Sequence, residues 1–333
     1  MAFSANGEYL LTGDDKSVRV WRIESGEQVA TMQANVLSLA VSKDGRWIAA
    51  GTLFGCVFVW DAITYEQVIG SHKEAHYHYH SIGVDFAPDS TRLVSASHEQ
   101  VVSIWDIGSH LRKHPDTKTV SSTREPVQTL DHGAVVIAAK YSPQGNQIAT
   151  ASNDSVRVWD SNDGRLLVVI KATVIPWYNT GLLWFNNHLF VISGNKIKQF
   201  EASTGSAVSE WPVPDVVDFS CIALPTHGKF IVYSTQRTVT FWNTATQATH
   251  TQLGLIHPQD IRSVAVSPDD RFLAIGGRDG NITINSLSDI TVSILSRWIV
   301  VHMNIFLPPI KISTAFDLFV SSTPHIPGTR HSD

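Results

Sequence analysis

Residues 132–160 read HGAVVIAAKYSPQGNQIATASNDSVRVWD, and the pattern in them returns along most of the 333-residue chain. Three short runs rich in β-branched and apolar residues, Val135 to Tyr141, Gln147 to Ala151 and Ser155 to Trp159, are separated by Pro143-Gln144-Gly145-Asn146 and by Asn153-Asp154. Runs of this length between turn-forming residues predict antiparallel strands joined by hairpins. A fourth run, Arg165 to Ile170, follows the Asn162-Asp163-Gly164 turn and completes a four-stranded meander.

Working outward, the end of the third run anchors the count of repeats. The anchors are Trp21, Trp60, Trp105, Trp159, Phe200, Trp242 and Asn285. Successive anchors lie 39 to 45 residues apart, except for a gap of 54 between Trp105 and Trp159. That spacing is the period of four-stranded propeller blades, and the long gap marks an insertion. The turn before each second strand recurs as well: Ala5-Asn6-Gly7, Lys43-Asp44-Gly45, Pro88-Asp89-Ser90, Pro143-Gln144-Gly145, Thr226-His227-Gly228 and Pro268-Asp269-Asp270. Proline fixes φ at the first corner and Asp or Gly tolerates the second. Repeat five is the weakest, with Asn186-Asn187 as its turn signal.

The unit resembles a WD40 repeat on named residues: His132 before the first strand, Thr150 on the second, Asp154 in the tight turn, and Trp159-Asp160 closing the third. The resemblance implies that His132, Thr150, Asp154 and Trp159 form a structural hydrogen-bonded chain tying the blade together, and not a catalytic triad. A buried indole N–H and imidazole both need partners. The set is complete only in repeat four. Phe54 stands at the aspartate position of repeat two, Glu99 in repeat three and Gln236-Arg237 in repeat six, while repeat seven keeps Asp279 without the tryptophan. Apolar packing between neighbouring blades is therefore expected to hold most of the ring, at roughly 25 cal/mol per Å² buried.

The fold expected is all-β, a seven-bladed WD40-like β-propeller over residues 1–290 followed by an irregular extension, 297–333. The repeats fall roughly at 1–33, 34–70, 76–131, 132–171, 174–211, 215–254 and 257–296. The first blade reads as truncated, because MAFSANG matches only the end of a first strand. Ile290 to Ser296 is expected to form the outer strand of blade seven, so that closure comes from the carboxyl side. The Ser-, Thr- and Lys-rich stretch after Asp106, with Ser121, Ser122 and Thr123, reads as a loop between the third and fourth strands of blade three. Its alternatives are a solvated excursion and a partner-binding or phosphorylation loop. The apolar run Ile290 to Leu307 is broken by Arg297, His302 and Asn304, so a membrane span is disfavoured.

The 25 basic and 30 acidic residues give a formal charge of −5 with no continuous basic stripe, which disfavours nucleic-acid binding. Cys56 and Cys221 lie in different repeats, and the amino terminus has no charged leader before an apolar run, so an intracellular, cytoplasmic or nuclear, compartment is expected. No GxSxG, Walker, HExxH or CxxC motif occurs, and the pairs Asp14-Asp15 and Asp269-Asp270 fall in predicted turns. Asp215 with Asp218 is a third carboxylate pair.

Function is accordingly expected to be a non-catalytic protein-interaction scaffold, with no cofactor and with partner proteins or peptides bound on the propeller faces. Arginine and aromatic residues dominate binding hot spots. The candidates are Arg19, Arg46, Arg92, Arg157, Arg262 and Arg278, with Trp177 and Trp184. The signature Trp-Asp-x-Arg, by which some WD40 proteins contact a ubiquitin-ligase adaptor, is absent after Trp60, Trp105 and Trp159. The alternative is a metal-dependent enzyme or metal-binding protein built on the run His72 to His80, in which His76, His78 and His80 alternate and share one side of an extended segment.

Overall fold

The computed structural model describes residues 1–70, 81–97, 100–108, 125–172, 174, 181–194, 196–212, 219–226, 228, 230–244, 248–287 and 301–304. The run His72 to His80, Glu99, Ser121 to Thr123, Trp177, Asp215, Asp218 and Ile290 to Ser296 lie outside them.

Among the described residues the strands form seven antiparallel four-stranded sheets. Blade one comprises β1 (Ala2–Phe3), β2 (Tyr9–Gly13), β3 (Ser17–Arg22) and β4 (Gln28–Gln33). Blade two has β5 (Val36–Val41), β6 (Trp47–Thr52), β7 (Val57–Asp61) and β8 (Gln67–Gly70). Blade three has β9 (Ser81–Phe86), β10 (Arg92–Ser97), β11 (Val101–Asp106) and β12 (Gln128–Asp131), with the insertion between the last two. Blade four, the repeat quoted first, has β13 (Val136–Tyr141), β14 (Gln147–Ser152), β15 (Ser155–Asp160) and β16 (Leu166–Lys171). Blade five has β17 (Leu182–Phe185), β18 (His188–Ser193), β19 (Lys196–Glu201) and β20 (Ala207–Pro212). Blade six has β21 (Phe219–Ala223), β22 (Phe230–Thr235), β23 (Thr238–Asn243) and β24 (Ala248–Ile256). Blade seven has β25 (Ile261–Val266), β26 (Phe272–Gly277), β27 (Asn281–Ser286) and β28 (Val301–Asn304). Each of the seven anchor residues falls on the third strand of its blade.

Alternation along the strands explains why blades stack. On β14, Ile148 packs toward blade three, whereas Ala149 and Ala151 pack toward blade five. A strand apolar on both faces must be covered on both, and the ring supplies a neighbour on each side. Seven apolar clusters result, each straddling one pair of adjacent blades. The closing cluster joins Phe3, Leu10, Trp21 and Ile23 of blade one to Ala274, Ile282 and Ile284 of blade seven.

Closure differs from the sequence expectation in one respect. The outer strand of blade seven is β28, paired with β27 from Asn281↔Asn304 to Ile284↔Val301, where Ile290 to Ser296, outside the described residues, had been expected. The seat on an edge needs only a few residues offering N–H and C=O groups, and the entropy of closing a longer connection grows slowly with its length. The propeller therefore extends beyond residue 290 into the stretch assigned to the extension. Strand β1 is two residues long.

The turns between first and second strands gather on one face of the ring and touch their neighbours. Gly45, at φ +73°, brings its α-carbon so close to blade one that an added Cβ would lie 3.3 Å from the Cβ of Ala5. Asp44 N–H donates to Ser90 Oγ of blade three at 3.1 Å, and Thr226 N–H of blade six donates to Asp270 Oδ1 of blade seven at 2.8 Å. Ser90 (φ 60°) and Asp270 (φ 56°) occupy the left-handed corner that glycine fills in blades one, two, four and six. Their side chains bridge blades, which offsets the strain of that conformation.

Candidate protein-interaction surface

The four residues singled out in blade four are only partly joined. Trp159 Nε1 donates to Thr150 Oγ1 at 2.8 Å, fully inside the blade. Asp154 is exposed in its turn and accepts from the hydroxyls of Ser152 and, at 2.9 Å, Ser155. These hydrogen bonds hold its carboxyl below the usual range. His132 is completely buried, and among the described residues neither ring nitrogen makes a hydrogen bond of good geometry, although peptide groups of His132 and Thr150 lie close to it. Burial, then the Arg157 cation, push its imidazole down to about 4. The continuous four-residue chain is thus not made: two local serine hydroxyls satisfy the aspartate before the imidazole can. The indole bond itself recurs where the full set does not, from Trp21 to Thr12 at 2.9 Å and from Trp105 to Ser95 at 2.9 Å.

The candidate arginines do not converge. On the face carrying the turns between second and third strands, Arg19 pairs with Asp14 at 3.2 Å and Arg278 is exposed. Arg262, also exposed, is the second residue of β25, near that face. Arg157 is half-buried, and its Nε makes no hydrogen bond. On the opposite face, Arg46 lies over the Trp47 ring at 4.9 Å, and Arg92 Nη1 donates to the Ser161 carbonyl at 2.9 Å, tying blade three to blade four. Trp184 is half-buried against the core between blades four and five and donates to the Asn186 carbonyl at 3.1 Å.

Turn carboxylates serve their own backbones. Asp14 Oδ1 accepts from Lys16 N–H and Ser17 N–H, and Asp269 Oδ1 from Ser267 Oγ and Arg271 N–H. This is the use expected of aspartate in turns. Among the described residues, no group of three or more His, Cys, Asp or Glu is arranged to hold a metal ion, and no helix is long and apolar enough to cross a membrane.

A cavity of about 410 Å³ opens between blades one and two, on the face of the first-to-second-strand turns. Three turns frame it: Ser4 to Asn6, Asp44-Gly45, and Ala62 to Tyr65. Its floor is Leu11, Val20 and Ile48, each 2% exposed, and Tyr9 and Tyr65 line it. Arg22 lies 6.0 Å from the Tyr9 ring centroid, and burial raises the phenol pKa of Tyr65. At its edge Ile63 is 80% exposed. No single stretch of sequence announces this site, because its parts come from two repeats and from turn residues that each have a local reason to be there.

The family described as "WD domain, G-beta repeat" matches residues 1–22, 26–61, 71–106, 124–160 and 251–284. Blade five and the first three strands of blade six fall outside these matches. There the tryptophan bonds give way to an aromatic cluster, with Trp211 and Trp242 ring centroids 4.1 Å apart and Phe190 stacked 6.4 Å from Trp211. The WD repeat-containing protein SL1-17 of Schistosoma mansoni is 28% identical over 159 residues, 46% of this chain and 47% of that protein. The transcriptional corepressor LEUNIG_HOMOLOG of Arabidopsis thaliana is 23% identical over 288 residues, 75% of this chain and 35% of that protein. This chain spans about half the length of these relatives, or less. A chain in a crystal structure of the mitotic checkpoint complex superposes with a TM-score of 0.67 at 19% identity, covering 85% of each chain, a likeness of fold.

Proposed function

We propose that this chain, which belongs to the WD40-repeat β-propeller proteins, is a non-catalytic scaffold that holds partner proteins or peptides on the turn faces of the ring, inside the cell. The observation that carries the reading is the preformed cavity between blades one and two, with the exposed apolar Ile63 at its rim. Concave, largely apolar surfaces with a few polar groups are where ligands bind. The turn carboxylates support a non-catalytic role, since Asp14, Asp44 and Asp269 are engaged as acceptors within their own turns.

Affinity capture tests it. Tagged full-length chain is recovered from cells and the bound proteins are quantified by mass spectrometry against a tag-only control. A reproducible partner set, diminished by Ile63→Ser, is the expected result. Recovery of no protein above control would overturn the proposal.

A further inference from the structure

We propose that the cavity between blades one and two receives an arginine or lysine side chain from a basic peptide segment of a partner protein, an assignment that rests on the scaffold reading above. Its aliphatic floor, Leu11, Val20 and Ile48, suits the methylene stem of a long cationic side chain. The one acidic or basic side chain in the lining is Asp44. Its Oδ1 accepts from Ser42 Oγ at 2.6 Å and from Arg46 N–H at 3.0 Å, while its Oδ2 makes no hydrogen bond among the described residues. That second oxygen is left to accept a charge-assisted bond.

The net charge of the flanking blades favours a cation further. Residues 1–70, the two blades that flank the cavity, hold eight carboxylates and five Lys or Arg, and so carry −3 of the chain's net −5. A field of that sign draws basic segments toward this side of the ring. Ile63 extends the apolar surface past the cavity mouth, so the occupant that fits is longer than one side chain. A peptide with an apolar residue beside its Arg or Lys meets both demands.

The test selects random twelve-residue peptides displayed on phage against the immobilised full-length chain, then measures an enriched peptide by fluorescence anisotropy. The expected sequences concentrate Arg or Lys next to apolar residues. Asp44→Asn keeps the Oδ1 that closes the turn, so it leaves the thermal midpoint in place while weakening the peptide about tenfold. Ile63→Ser, at an 80% exposed position, weakens it without touching the core. Enrichment of acidic or uncharged peptides, no enrichment at all, or equal affinity for Asp44→Asn would overturn the assignment. If affinity capture recovers the same proteins with wild type and with Asp44→Asn, the cavity assignment fails and the scaffold reading stands. If neither variant recovers any, the scaffold reading fails with it.

Discussion

Trp159 gives its indole N–H to Thr150 across neighbouring strands, and replacing that one acceptor isolates the sharpest residue-scale consequence. Thr150→Val should leave a buried N–H without a partner and cost about 1–3 kcal/mol. Asp154→Ala removes the part-buried bonds from the Ser152 and Ser155 hydroxyls, but Ser152 Oγ keeps the Ser155 carbonyl as an acceptor at 3.0 Å, so it should cost less, no more than about 1 kcal/mol. Chemical denaturation of the two variants checks the order, and equal midpoints would contradict it. His132 adds a pH dependence. Its folded-state pKa, about 4, lies below the ordinary 6.5, so the unfolded chain takes up the proton first as pH falls. The neutral buried ring contributes its stability fully above pH 6.5, and that contribution is lost progressively as pH falls to about 4. Relative to wild type, His132→Phe should therefore gain stability between pH 7 and pH 4.5 in denaturant titrations. A constant difference would refute the linkage. The Trp–Thr bond was legible only through the resemblance of residues 132–160 to a WD40 repeat, which implied that Thr150 and Trp159 are linked. The exclusion of Asp154 from that network was not, since serines on either side of a turn compete for the carboxylate in a way that only geometry decides.

Strands were the most legible elements, because four-strand units between turn signals repeat with one period. The outer strand of blade seven was the exception. An edge strand pairs on one side only, so the constraint that fixes register elsewhere is weak there. Ending the chain at Leu287 removes β28 and bares the edge of β27, which should make the protein aggregation-prone. A soluble monomer of unchanged thermal midpoint, by light scattering and calorimetry, would rule out a role for β28 in closing the blade. Turns give a second element-scale prediction. Gly45 and Gly133 both hold positive φ, +73° and +66°, but only Gly45 faces another blade within 4 Å. Gly133→Ala should cost about 1–2 kcal/mol for the left-handed backbone alone. Gly45→Ala should cost more, because its methyl also presses on Ala5. Thermal unfolding of the pair measures the difference, and an equal loss would mean that the turn annulus yields freely.

Across the whole molecule, seven interfaces of one kind carry the ring, and blades that lack the tryptophan bond survive because the clusters on both their flanks remain. Blades five and six show this best, with Trp211, Trp242 and Phe190 packed together in place of the tryptophan bond. The ring could be counted from the sequence, since Trp21 to Asn285 recur with the blade period. The cavity could not, because Tyr9, Asp44 and Tyr65 meet only when blade two docks on blade one. Arginines chosen by type alone scattered over both faces, several of them engaged by Asp14, Trp47 or the Ser161 carbonyl. Hydrogen exchange by mass spectrometry, on the full-length chain alone and saturated with a captured partner, tests most directly whether partners sit on the turn faces. The expected result is slowed exchange in segments 4–9, 43–48 and 61–66. Protection confined to the outer strands Gln28–Gln33 and Gln67–Gly70, with the turns unchanged, would contradict it.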